Sequence, residues 1–477
     1  MWSVALVLLS FLISHSASAQ QPPPPWTIPS NDDIRALLAK RMEHNGVGVV
    51  VGVLEPSGRR VVAYGKSGLP DGRPLDGDSL FQIGSVSKTF VGLVLADMVL
   101  KGEVKLDDPA AKYLPAGVKM PQSGRPITLV DLQLNISGLP RMPNNFNIRG
   151  APNPMEAYTV PELYQFLSTY TPTRAPGVSF EYSNLGVSVL GRLLGLRAGK
   201  EYEDLLKERV LVPLGMTSTA VHLSPEQLER VVPGHAKDLL PVHSPEMKTL
   251  YPSGSLRSSA NDLLNFLEAN LGYRETSLKS AMLFQLRVPT FPATTGPQVP
   301  GAPQEGLGWR FRETMGRTVT YHDGDKDGYR AVMAFDRERR IGVVVLTNAY
   351  TDDPPQPLAR HLLTGEPMTA PPPSVVPGKF VQIDGAILAT YEGEYRFEDS
   401  NVFRVARSGD HLYIDNVARG SPEPYFAQGP RDFRIRAEKP EVSFRTDAAG
   451  KVIGLTYYPR GREVADAPSL EAVRVAR

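Results

Sequence analysis

The sequence predicts an α+β fold, in which a large domain with one antiparallel sheet is followed by a small all-β barrel domain. Val-rich runs typical of strands occur near both ends of the large domain, within 47–64 and 318–347. Apolar segments with helix-capping signals lie between them. After a Pro-rich stretch at 366–379, short strand-like runs alternate with turns. The sheet of the large domain should therefore combine the two ends of that domain around a mostly helical middle.

Length and composition exclude several function classes. The chain has 477 residues, enough for two or three domains of about 100 to 200 residues each. It carries 52 basic and 51 acidic side chains, a formal net charge of +1, which indicates neither a nucleic-acid nor a membrane-surface partner. The absence of cysteine excludes thiol nucleophiles, disulfides and Cys-based metal sites. We expect a small-molecule or peptide substrate and no cofactor; the oligomeric state is left open.

Residues 1–19 have the pattern of a removable signal peptide. The stretch from Trp2 to Ser16 is mostly apolar but short for a membrane span, and a small-x-small cleavage pattern follows at 17–19. No Lys or Arg precedes the apolar run, so an uncleaved anchor is the alternative. In both cases the body is exported, to the periplasm or the medium. No later apolar run reaches about 18 residues, so the mature chain should contain no transmembrane segment.

The large domain is predicted to occupy residues 30–365, after a Pro-rich leader at 20–29. Its first helix should start at Ser30, whose hydroxyl can cap it while Asp33 reaches back from the first turn. Further helices are indicated by the pairs Thr128 with Asp131, Ser224 with Gln227, and Ser259 with Asp262. The middle of the chain should therefore be helical.

Strands are predicted on both sides of this helical region and again at the end of the chain. In the large domain they cover 47–54 and 60–64, joined as a hairpin, and 318–322, 329–335 and 341–347, which should form an antiparallel meander. Residues 366–379 have the composition of a stiff linker. Residues 380–477 should form the barrel, with strands near 402–405, 411–414, 433–435, 442–444 and 452–458.

Ser85 and Lys88 form a candidate nucleophile and base. A serine hydroxyl needs a base to take its proton, and a lysine three residues further along a helix lies on the same face. The segment 85–100 is apolar or small at nearly every other position, so Lys88 should be buried and its pKa lowered. A capped helix with an exposed lysine is the alternative, since Ser-x-x-Lys alone is common. Ser85 at the helix start would also let the helix amides stabilise an oxyanion.

Tyr182 and Asn184 precede a second apolar helix. Tyr182 would relay a proton, with its pKa lowered from about 10 by nearby cations, and Asn184 would offer its amide to the substrate. The alternative is a simple helix entry capped by Ser183 or Asn184.

His322 ends a predicted strand and would be an electrostatic or hydrogen-bonding partner near Ser85, although strand-end histidines are more often ordinary surface residues. The backbone amide just beyond Gly324, that of Asp325, would complete an oxyanion hole.

Taken in order, Ser85-Val86-Ser87-Lys88, Tyr182-Ser183-Asn184 and His322-Asp323-Gly324 resemble the three motifs of the class C β-lactamase and penicillin-binding protein family of serine hydrolases. The resemblance spans roughly residues 30–365 and implies a β-lactamase/DD-peptidase-like fold. One departure is Asn135, where many relatives carry histidine; we expect it to change only local packing.

The resemblance also implies roles for these residues. Ser85 would be acylated, Lys88 would be its base, Tyr182 would shuttle the proton and activate the deacylating water, and Asn184 would bind substrate. His322 occupies the family's Lys/His position. A histidine at this position resembles the pattern of certain DD-peptidases, D-aminopeptidases and esterases of the same fold. The appended barrel is likewise similar to those of peptidase- or esterase-like members.

The loop after His322 contains Asp323, Asp325 and Asp327, where relatives are mostly small and glycine-rich. Three carboxylates near the site should repel an anionic substrate such as a β-lactam or a peptide ending in D-Ala. We therefore favour a D-amino-acid peptidase or amidase, or an esterase. A class C-type β-lactamase is the first alternative, and a non-hydrolytic penicillin-binding-protein-like receptor is the second.

Other chemistries find little support in the sequence. The same loop matches the opening of a calcium-binding loop, with Asp323, Asp325 and Asp327 as ligands, but its twelfth position is Ala334 instead of Glu. Calcium is therefore a minor alternative. Neither the Gly-x-Ser-x-Gly elbow of α/β-hydrolases nor the His-Glu-x-x-His motif of metalloproteases occurs in the chain.

Overall fold

The computed structural model describes residues 26–43, 46–147, 153–242, 244, 246–287, 305–371, 380–417, 421–435, 440–462 and 468–475. The predicted signal peptide and most of the predicted leader and linker lie outside these ranges. None of the helices within them combines the length and the apolar character needed to cross a membrane.

The helices follow the predicted capping signals closely. They are α1 (Asn31–Met42), α2 (Ser87–Leu100), α3 (Leu129–Gln133), α4 (Pro154–Ala157), α5 (Val160–Thr169), α6 (Asn184–Ala198), α7 (Tyr202–Leu206), α8 (Pro225–Leu228), α9 (Ala260–Asn270), α10 (Lys279–Gln285), α11 (Pro355–Thr364) and α12 (Gly385–Thr390). Ser30 caps α1 through a hydrogen bond that its hydroxyl accepts from the Asp33 amide, as predicted. Both partners of the Thr128–Asp131 capping box are present on α3.

The large domain contains one six-stranded antiparallel sheet. The strands of the large domain, in this sheet and outside it, are β1 (Gly48–Glu55), β2 (Gly58–Gly65), β3 (Phe81–Gln82), β4 (Gly234–His235), β5 (Pro241–Val242), β6 (Arg257–Ser258), β7 (Arg310–Thr314), β8 (Arg317–Lys326), β9 (Tyr329–Asp336) and β10 (Ile341–Thr347). The sheet has the order β2-β1-β10-β9-β8-β7, and β3–β6 and β4–β5 form separate short pairs. The two chain ends of the domain therefore share one sheet, as predicted. The edge strand β7 was not predicted, because its run of Arg and Glu lacks an apolar alternation.

Apolar side chains cover both faces of this sheet. On one face, Val51 and Val345 pack with Leu38 of α1 and Leu362 of α11. On the other face, Val50 and Val344 belong to the larger core, which includes most of α2, α6 and α9. Strand β1 is buried along nearly its whole length, as expected for a central strand covered by helices on both sides.

The C-terminal domain is a closed eight-stranded antiparallel barrel, as predicted. Its strands are β11 (Gly393–Phe397), β12 (Val402–Ser408), β13 (His411–Asn416), β14 (Ser421–Ala427), β15 (Asp432–Arg434), β16 (Glu441–Thr446), β17 (Val452–Tyr458) and β18 (Leu470–Arg474). Its interior is filled by aromatic side chains, among them the fully buried Tyr395, Phe433 and Phe444. Closure pairs β11 with β18 and leaves no free sheet edge in the ring.

Candidate active site

Ser85 lies in a tight turn between β3 and α2. Residues Gly84–Val86 form a 3₁₀ turn, so α2 begins at Ser87 and not at Ser85 as predicted. The turn is closed by the Ser87 hydroxyl, which donates to the Gly84 carbonyl at 2.7 Å. Within the window 81–90, Ser85 is the one residue that is not fully buried. The fold therefore presents this serine to solvent from an otherwise buried segment.

Strand β8 passes directly beside this turn. A Cβ added to Gly324 would lie 2.0 Å from the Ile83 carbonyl oxygen and 2.7 Å from the Ser85 amide nitrogen. A Cβ added to Gly84, whose φ is +51°, would lie 2.9 Å from the Asp325 amide nitrogen. Glycine is required on both backbones because the approach leaves no space for a side chain. The Ser85 and Asp325 amides are thus brought to one place, as an oxyanion hole requires.

The hydroxyl of Ser85 contacts both predicted partners. The Lys88 amine lies 3.0 Å from the Ser85 Oγ, and the Tyr182 hydroxyl donates to the same Oγ at 2.7 Å. The three groups come from one turn, one helix and the segment before α6. This arrangement can take a proton from the serine and return one to a leaving group.

Lys88 is 2% exposed, and its hydrogen bonds suit a neutral amine. Its Nζ donates at 2.8 Å to the Asn184 Oδ1 and at 2.8 Å to the Ser253 carbonyl oxygen. A neutral amine has two N–H groups for these acceptors and one lone pair left for the Ser85 hydroxyl proton. Burial, reinforced by the guanidinium groups of Arg141 and Arg310, holds the pKa of Lys88 well below its usual range.

Tyr182 is surrounded by cations, but its pKa is not lowered as predicted. Its ring centroid lies 4.8 Å from the Lys88 Nζ, 5.4 Å from the Arg141 Cζ and 5.5 Å from the Arg310 Cζ. Burial outweighs the Ser85 hydrogen bond and the charge of Arg310, and it raises the pKa of Tyr182 to about 12. Tyr182 is therefore a phenol at neutral pH, able to donate a proton but not to act as a phenolate base.

Asn135 positions the segment that carries Tyr182, so the expectation that it affects only local packing is wrong. Its Oδ1 accepts a hydrogen bond from the Ser183 amide at 2.9 Å, and its carbonyl accepts one from the Glu181 amide at 2.9 Å. It also adopts a left-handed φ of +58°, which asparagine tolerates better than most residues. These bonds fix the backbone on both sides of Tyr182.

Asn184 is the first residue of α6 and lines the cleft in front of Ser85. The helix cap is Ser183, whose Oγ accepts from the Gly186 amide at 2.9 Å. Asn184 is therefore free of the capping role. Since its Oδ1 faces Lys88, its NH₂ group is the part left for a substrate.

His322 lies on β8 and is 3% exposed, so it is not a surface residue. Its Nδ1 lies 2.7 Å from the Asp323 carbonyl oxygen, which fixes the Nδ1–H tautomer. Burial and the charge of Arg310 hold its pKa well below the usual value. His322 is thus neutral at physiological pH, which leaves hydrogen bonding and not charge as its possible contribution.

The three carboxylates after His322 do not act as an unpaired acidic loop. Asp323 is paired with Arg310 at 3.4 Å and accepts a hydrogen bond from Gln356 at 3.0 Å. Asp325 lies 3.4 Å from Arg330, and Asp327 is paired with the neighbouring Lys326. The predicted repulsion of anionic substrates is therefore much weaker than the sequence suggests.

The same pairing separates the carboxylates that would bind calcium. Each carboxylate faces a different cation, and the described part of the chain contains no cluster of three or more His, Asp or Glu side chains arranged to hold a metal ion. The carboxylates of Asp323, Asp325 and Asp327 therefore do not converge on one point, as calcium ligands would have to.

Arg310 and Arg141 are important residues that sequence reasoning missed. Arg310 on β7 donates to Glu305 at 2.9 Å and reaches Asp323, so it connects the β7 edge to the strand of His322. Arg141 lines the cleft, and among the described residues it has no ion-pair partner. Neither arginine lies in one of the three motifs: Arg141 directly follows Pro140, and Arg310 directly follows Trp309.

The cleft in front of Ser85 is lined by both domains. The large domain contributes Ser85, Arg141, Asn184 and Asp327, and the barrel contributes Glu423 and Ile435. No feature of the sequence indicates that the barrel reaches the cleft beside Ser85.

The fold and this serine–lysine–tyrosine site define a serine hydrolase that acts through an acyl-enzyme. Comparison with known families makes the assignment specific: the family described as "Beta-lactamase" matches residues 34–364, and the chain belongs to that family.

Individual relatives carry both peptidase and β-lactamase names. The chain is 32% identical over 282 residues to the D-alanyl-D-alanine-carboxypeptidase/endopeptidase AmpH of Escherichia coli K12, covering 56% of this chain and 71% of AmpH. It is 28% identical over 372 residues to a β-lactamase of Pseudomonas fluorescens, covering 69% and 98% of the two chains. A solved β-lactamase/D-alanine carboxypeptidase from Yersinia pestis superposes with a TM-score of 0.55 at 27% identity, covering 66% of this chain and 93% of that one.

Proposed function

We propose that the protein is a D-amino-acid peptidase or amidase, with esterase activity at the same site, in which Ser85 is the nucleophile. Lys88 accepts the hydroxyl proton of Ser85, and the Ser85 and Asp325 amides hold the oxyanion that develops on the substrate carbonyl. The NH₂ group of Asn184 orients the substrate. The D-configuration is supported by the relative AmpH, whose name describes a D-alanyl-D-alanine carboxypeptidase and endopeptidase.

The steps follow from the hydrogen bonds. As the Ser85 oxygen attacks, its proton moves to the lone pair of Lys88, whose Nζ lies 3.0 Å from the Ser85 Oγ. The Tyr182 phenol then gives its proton to the leaving nitrogen or oxygen, and protonated Lys88 gives a proton to Tyr182, so that both groups return to their starting states. In the second half, a water molecule gives up a proton along the same route and attacks the acyl-enzyme, which restores the Ser85 hydroxyl.

The observation that carries the choice of substrate is the buried, neutral His322. A lysine in this position would place an ammonium group beside the nucleophile, where it attracts the carboxylate that every penicillin or cephalosporin carries. A neutral imidazole supplies a hydrogen bond without that charge. Amides and esters that are neutral or carry an amine do not depend on a positive charge at this position, so a neutral His322 does not weaken their binding. A β-lactam, in contrast, lacks one positive charge that would attract its carboxylate.

The test is a comparison of kcat/KM on D-alanine p-nitroanilide, its L-enantiomer, a short p-nitrophenyl ester and nitrocefin. We expect the D-anilide to exceed both the L-anilide and nitrocefin. The variant His322→Lys should raise kcat/KM for nitrocefin relative to the ester, by about tenfold if the added charge contributes about 1.4 kcal/mol. A clear preference of the wild type for nitrocefin would overturn the proposal.

A second candidate function, hydrolysis of carboxylate-bearing substrates, is favoured by Arg141. Its guanidinium lines the cleft, and it has no ion-pair partner in the described residues. It can therefore bind the carboxylate of a peptide ending in D-Ala or of a β-lactam. If so, Arg141→Gln will lower kcat/KM on acyl-D-Ala-D-Ala and nitrocefin while the p-nitrophenyl ester is unaffected.

We also propose that the chain is exported, with residues 1–19 as the signal peptide. The support is the apolar stretch with its small-x-small end. Cell fractionation of the full chain, with the mature N-terminus read by mass spectrometry, tests this. A protein that stays in the cytoplasm with residues 1–19 intact would contradict it.

A further inference from the structure

We propose that the cleft beside Ser85 holds a large apolar acyl group of the substrate, which packs against the side chains of Met142, Met155 and Met247. We call these three residues the methionine patch. The inference rests on the proposed acyl-transfer function and adds a substrate class to it. The favoured substrates are amides and esters whose acyl part carries an apolar chain longer than a methyl group.

The methionine patch comes from three separate segments of the large domain. Met142 and Met247 are buried in the main hydrophobic core, and Met155 is half-buried against that core. Three of the 12 methionines in the chain thus line the one cleft that contains Ser85. Methionine is unbranched, flexible and polarisable, so it adapts to apolar groups of different shapes. The patch is therefore suited to an apolar group and not to one fixed polar partner.

A hydrogen bond joins two of the segments that carry the patch. The Glu246 amide donates to the Glu156 carboxylate at 3.0 Å. Glu246 directly precedes Met247, and Glu156 directly follows Met155. The backbone positions of these two methionines are therefore fixed relative to each other.

Gly254 shows how near the patch lies to the nucleophile. A Cβ added to Gly254 would lie 3.9 Å from the methyl carbon of Met247 and 3.7 Å from the carbonyl carbon of Gly84, the residue before Ser85. The methyl end of Met247 and the turn of the nucleophile are thus both within van der Waals contact of one point. A chain attached to a carbonyl group on Ser85 can therefore reach the patch.

The cleft receives the acyl part of the substrate and not the leaving group. Its lining includes Ser85 and Asp325, whose amides hold the oxyanion in the proposed mechanism. Among the described residues, Tyr182 contacts the Ser85 hydroxyl but does not line the cleft. Because Tyr182 gives its proton to the leaving group, that group lies on the Tyr182 side of Ser85. The group that stays on the serine then lies in the cleft.

The barrel adds an apolar side chain to the same cleft. Ile435, which directly follows β15, is buried and lines it. The Arg404 guanidinium on β12 donates to the Asn144 carbonyl oxygen at 3.0 Å, two residues after Met142. This contact docks the barrel beside the patch, so an acyl group in the cleft can contact apolar side chains of both domains.

The carboxylates of β8 and the following turn do not oppose an apolar occupant. Asp325 lies 3.4 Å from Arg330, and Asp327 is paired with Lys326. Both carboxylates are thus matched by cations. The apolar side chains are then the groups that distinguish one acyl chain from another.

The full chain can be tested with p-nitrophenyl acetate, butyrate and hexanoate, which share one leaving group. We expect kcat/KM to rise about threefold for each added CH₂, because each CH₂ leaves water for an apolar surface. For the same reason D-leucine p-nitroanilide should exceed D-alanine p-nitroanilide by about tenfold. Measurable hydrolysis with a flat or falling order in both series would overturn the inference.

Met155→Gln tests the patch directly, because glutamine has nearly the length of methionine but ends in a polar amide. It should lower the ratio of kcat/KM for the hexanoate to that for the acetate about fivefold, chiefly through a loss on the hexanoate. Met155→Leu, which keeps an apolar side chain of similar volume, should retain the wild-type ratio. Both rates come from one sample, so a smaller fraction of folded protein does not alter the ratio.

Met315→Gln is the matched control, since Met315 is exposed in the turn between β7 and β8 and does not line the cleft. Its ratio should equal that of wild type. An unchanged ratio in Met155→Gln would overturn the inference while leaving the hydrolase intact. Hydrolysis of none of these esters and anilides by wild type would overturn the proposed function and the inference together.

Discussion

The two walls of the cleft are built in different ways. The wall that carries Ser85 is made of backbone: the turn at Gly84 and strand β8 at Gly324 touch so closely that neither accepts a Cβ. The barrel wall is made of side chains, chiefly Glu423 and Ile435, held by the Arg404 contact to Asn144. The first wall leaves no space for a side chain between its two backbones, and the second sets charge and shape.

This difference separates two kinds of change. A substitution at the backbone wall should move the proposed nucleophile or the proposed oxyanion amides, so we expect it to affect every substrate alike. A substitution at the barrel wall changes only what lies against it, so it affects some substrates and not others. We therefore expect substitutions to be able to alter chemistry and selectivity independently in this chain.

The largest effect is expected for Ser85→Ala. Loss of the proposed nucleophile should lower kcat at least about 10³-fold on every substrate and abolish labelling by a fluorophosphonate, because among the described serines only Ser85 has both Lys88 and Tyr182 on its hydroxyl. Labelling followed by mass spectrometry measures this.

Ser57→Ala is a suitable control for this variant, since Ser57 is an exposed serine in the turn between β1 and β2. It should keep both labelling and activity. Persistent labelling of Ser85→Ala at another site would show that the backbone wall is not the catalytic one.

The next effect in size is expected for Gly324→Ala. The new Cβ would lie 2.0 Å from the Ile83 carbonyl oxygen, and because that obstacle is backbone, the turn at Ser85 must move. A displacement of this kind can cost about 10²-fold in kcat/KM. The loss should be equal for the acetate and hexanoate esters.

Gly342→Ala in β10 is the matched control, because the atoms nearest to its added Cβ belong to the side chains of Leu267 and Leu271. Its activity should remain within about twofold of wild type, since side chains can shift more easily than backbone. A selective loss in Gly324→Ala, confined to one of the two esters, would contradict the division between the walls.

Much of the fold was predictable because local signals agree with the tertiary structure. The caps at Ser30 and Thr128 and the Val-rich runs of β1 and β10 are patterns that one element displays by itself. Strand β7 was missed because its side chains are charged and its place at the sheet edge is set by β8. The 3₁₀ turn at 84–86 was read as helix, since the close approach of β8 to Gly84 comes from far along the chain and leaves no local signal.

The site was predictable only as far as its motifs reach. Ser85, Lys88 and Tyr182 meet as expected, whereas the rise in the Tyr182 pKa depends on burial that no short motif records. The prediction that the loop after His322 repels anionic substrates overstated the effect for a similar reason. Sheet pairing brings Arg310 and Arg330 to the carboxylates of this loop, and no local motif records those contacts. Glu423 reaches the cleft by domain docking, for which the sequence offers no local signal.

A smaller effect concerns the pH dependence of kcat/KM. Catalysis needs neutral Lys88, whose pKa is lowered by burial, so activity should fall about tenfold per pH unit only below that lowered pKa. Tyr182, with its pKa raised to about 12, should add no loss through the ordinary alkaline range. Because burial also lowers the pKa of His322, the variant His322→Asn should keep the acid limb of the profile. Disappearance of the limb in that variant would assign it to His322 instead.

The smallest and most selective effect is expected for Arg404→Met, which removes the contact to Asn144 and the only cation beside Asp415 among the described residues. Asp415 is 0% exposed, neither of its oxygens accepts a hydrogen bond within those residues, and Arg404 lies 3.6 Å away. Losing the cation should destabilise the barrel by about 1 to 2 kcal/mol in thermal unfolding. Adding Asp415→Asn should restore much of that stability by removing the buried charge, but it cannot restore the Asn144 contact. The double variant should therefore be stable and still less selective for the hexanoate over the acetate ester, with kcat on the acetate unchanged; wild-type selectivity in it would mean that Arg404 does not position the barrel wall.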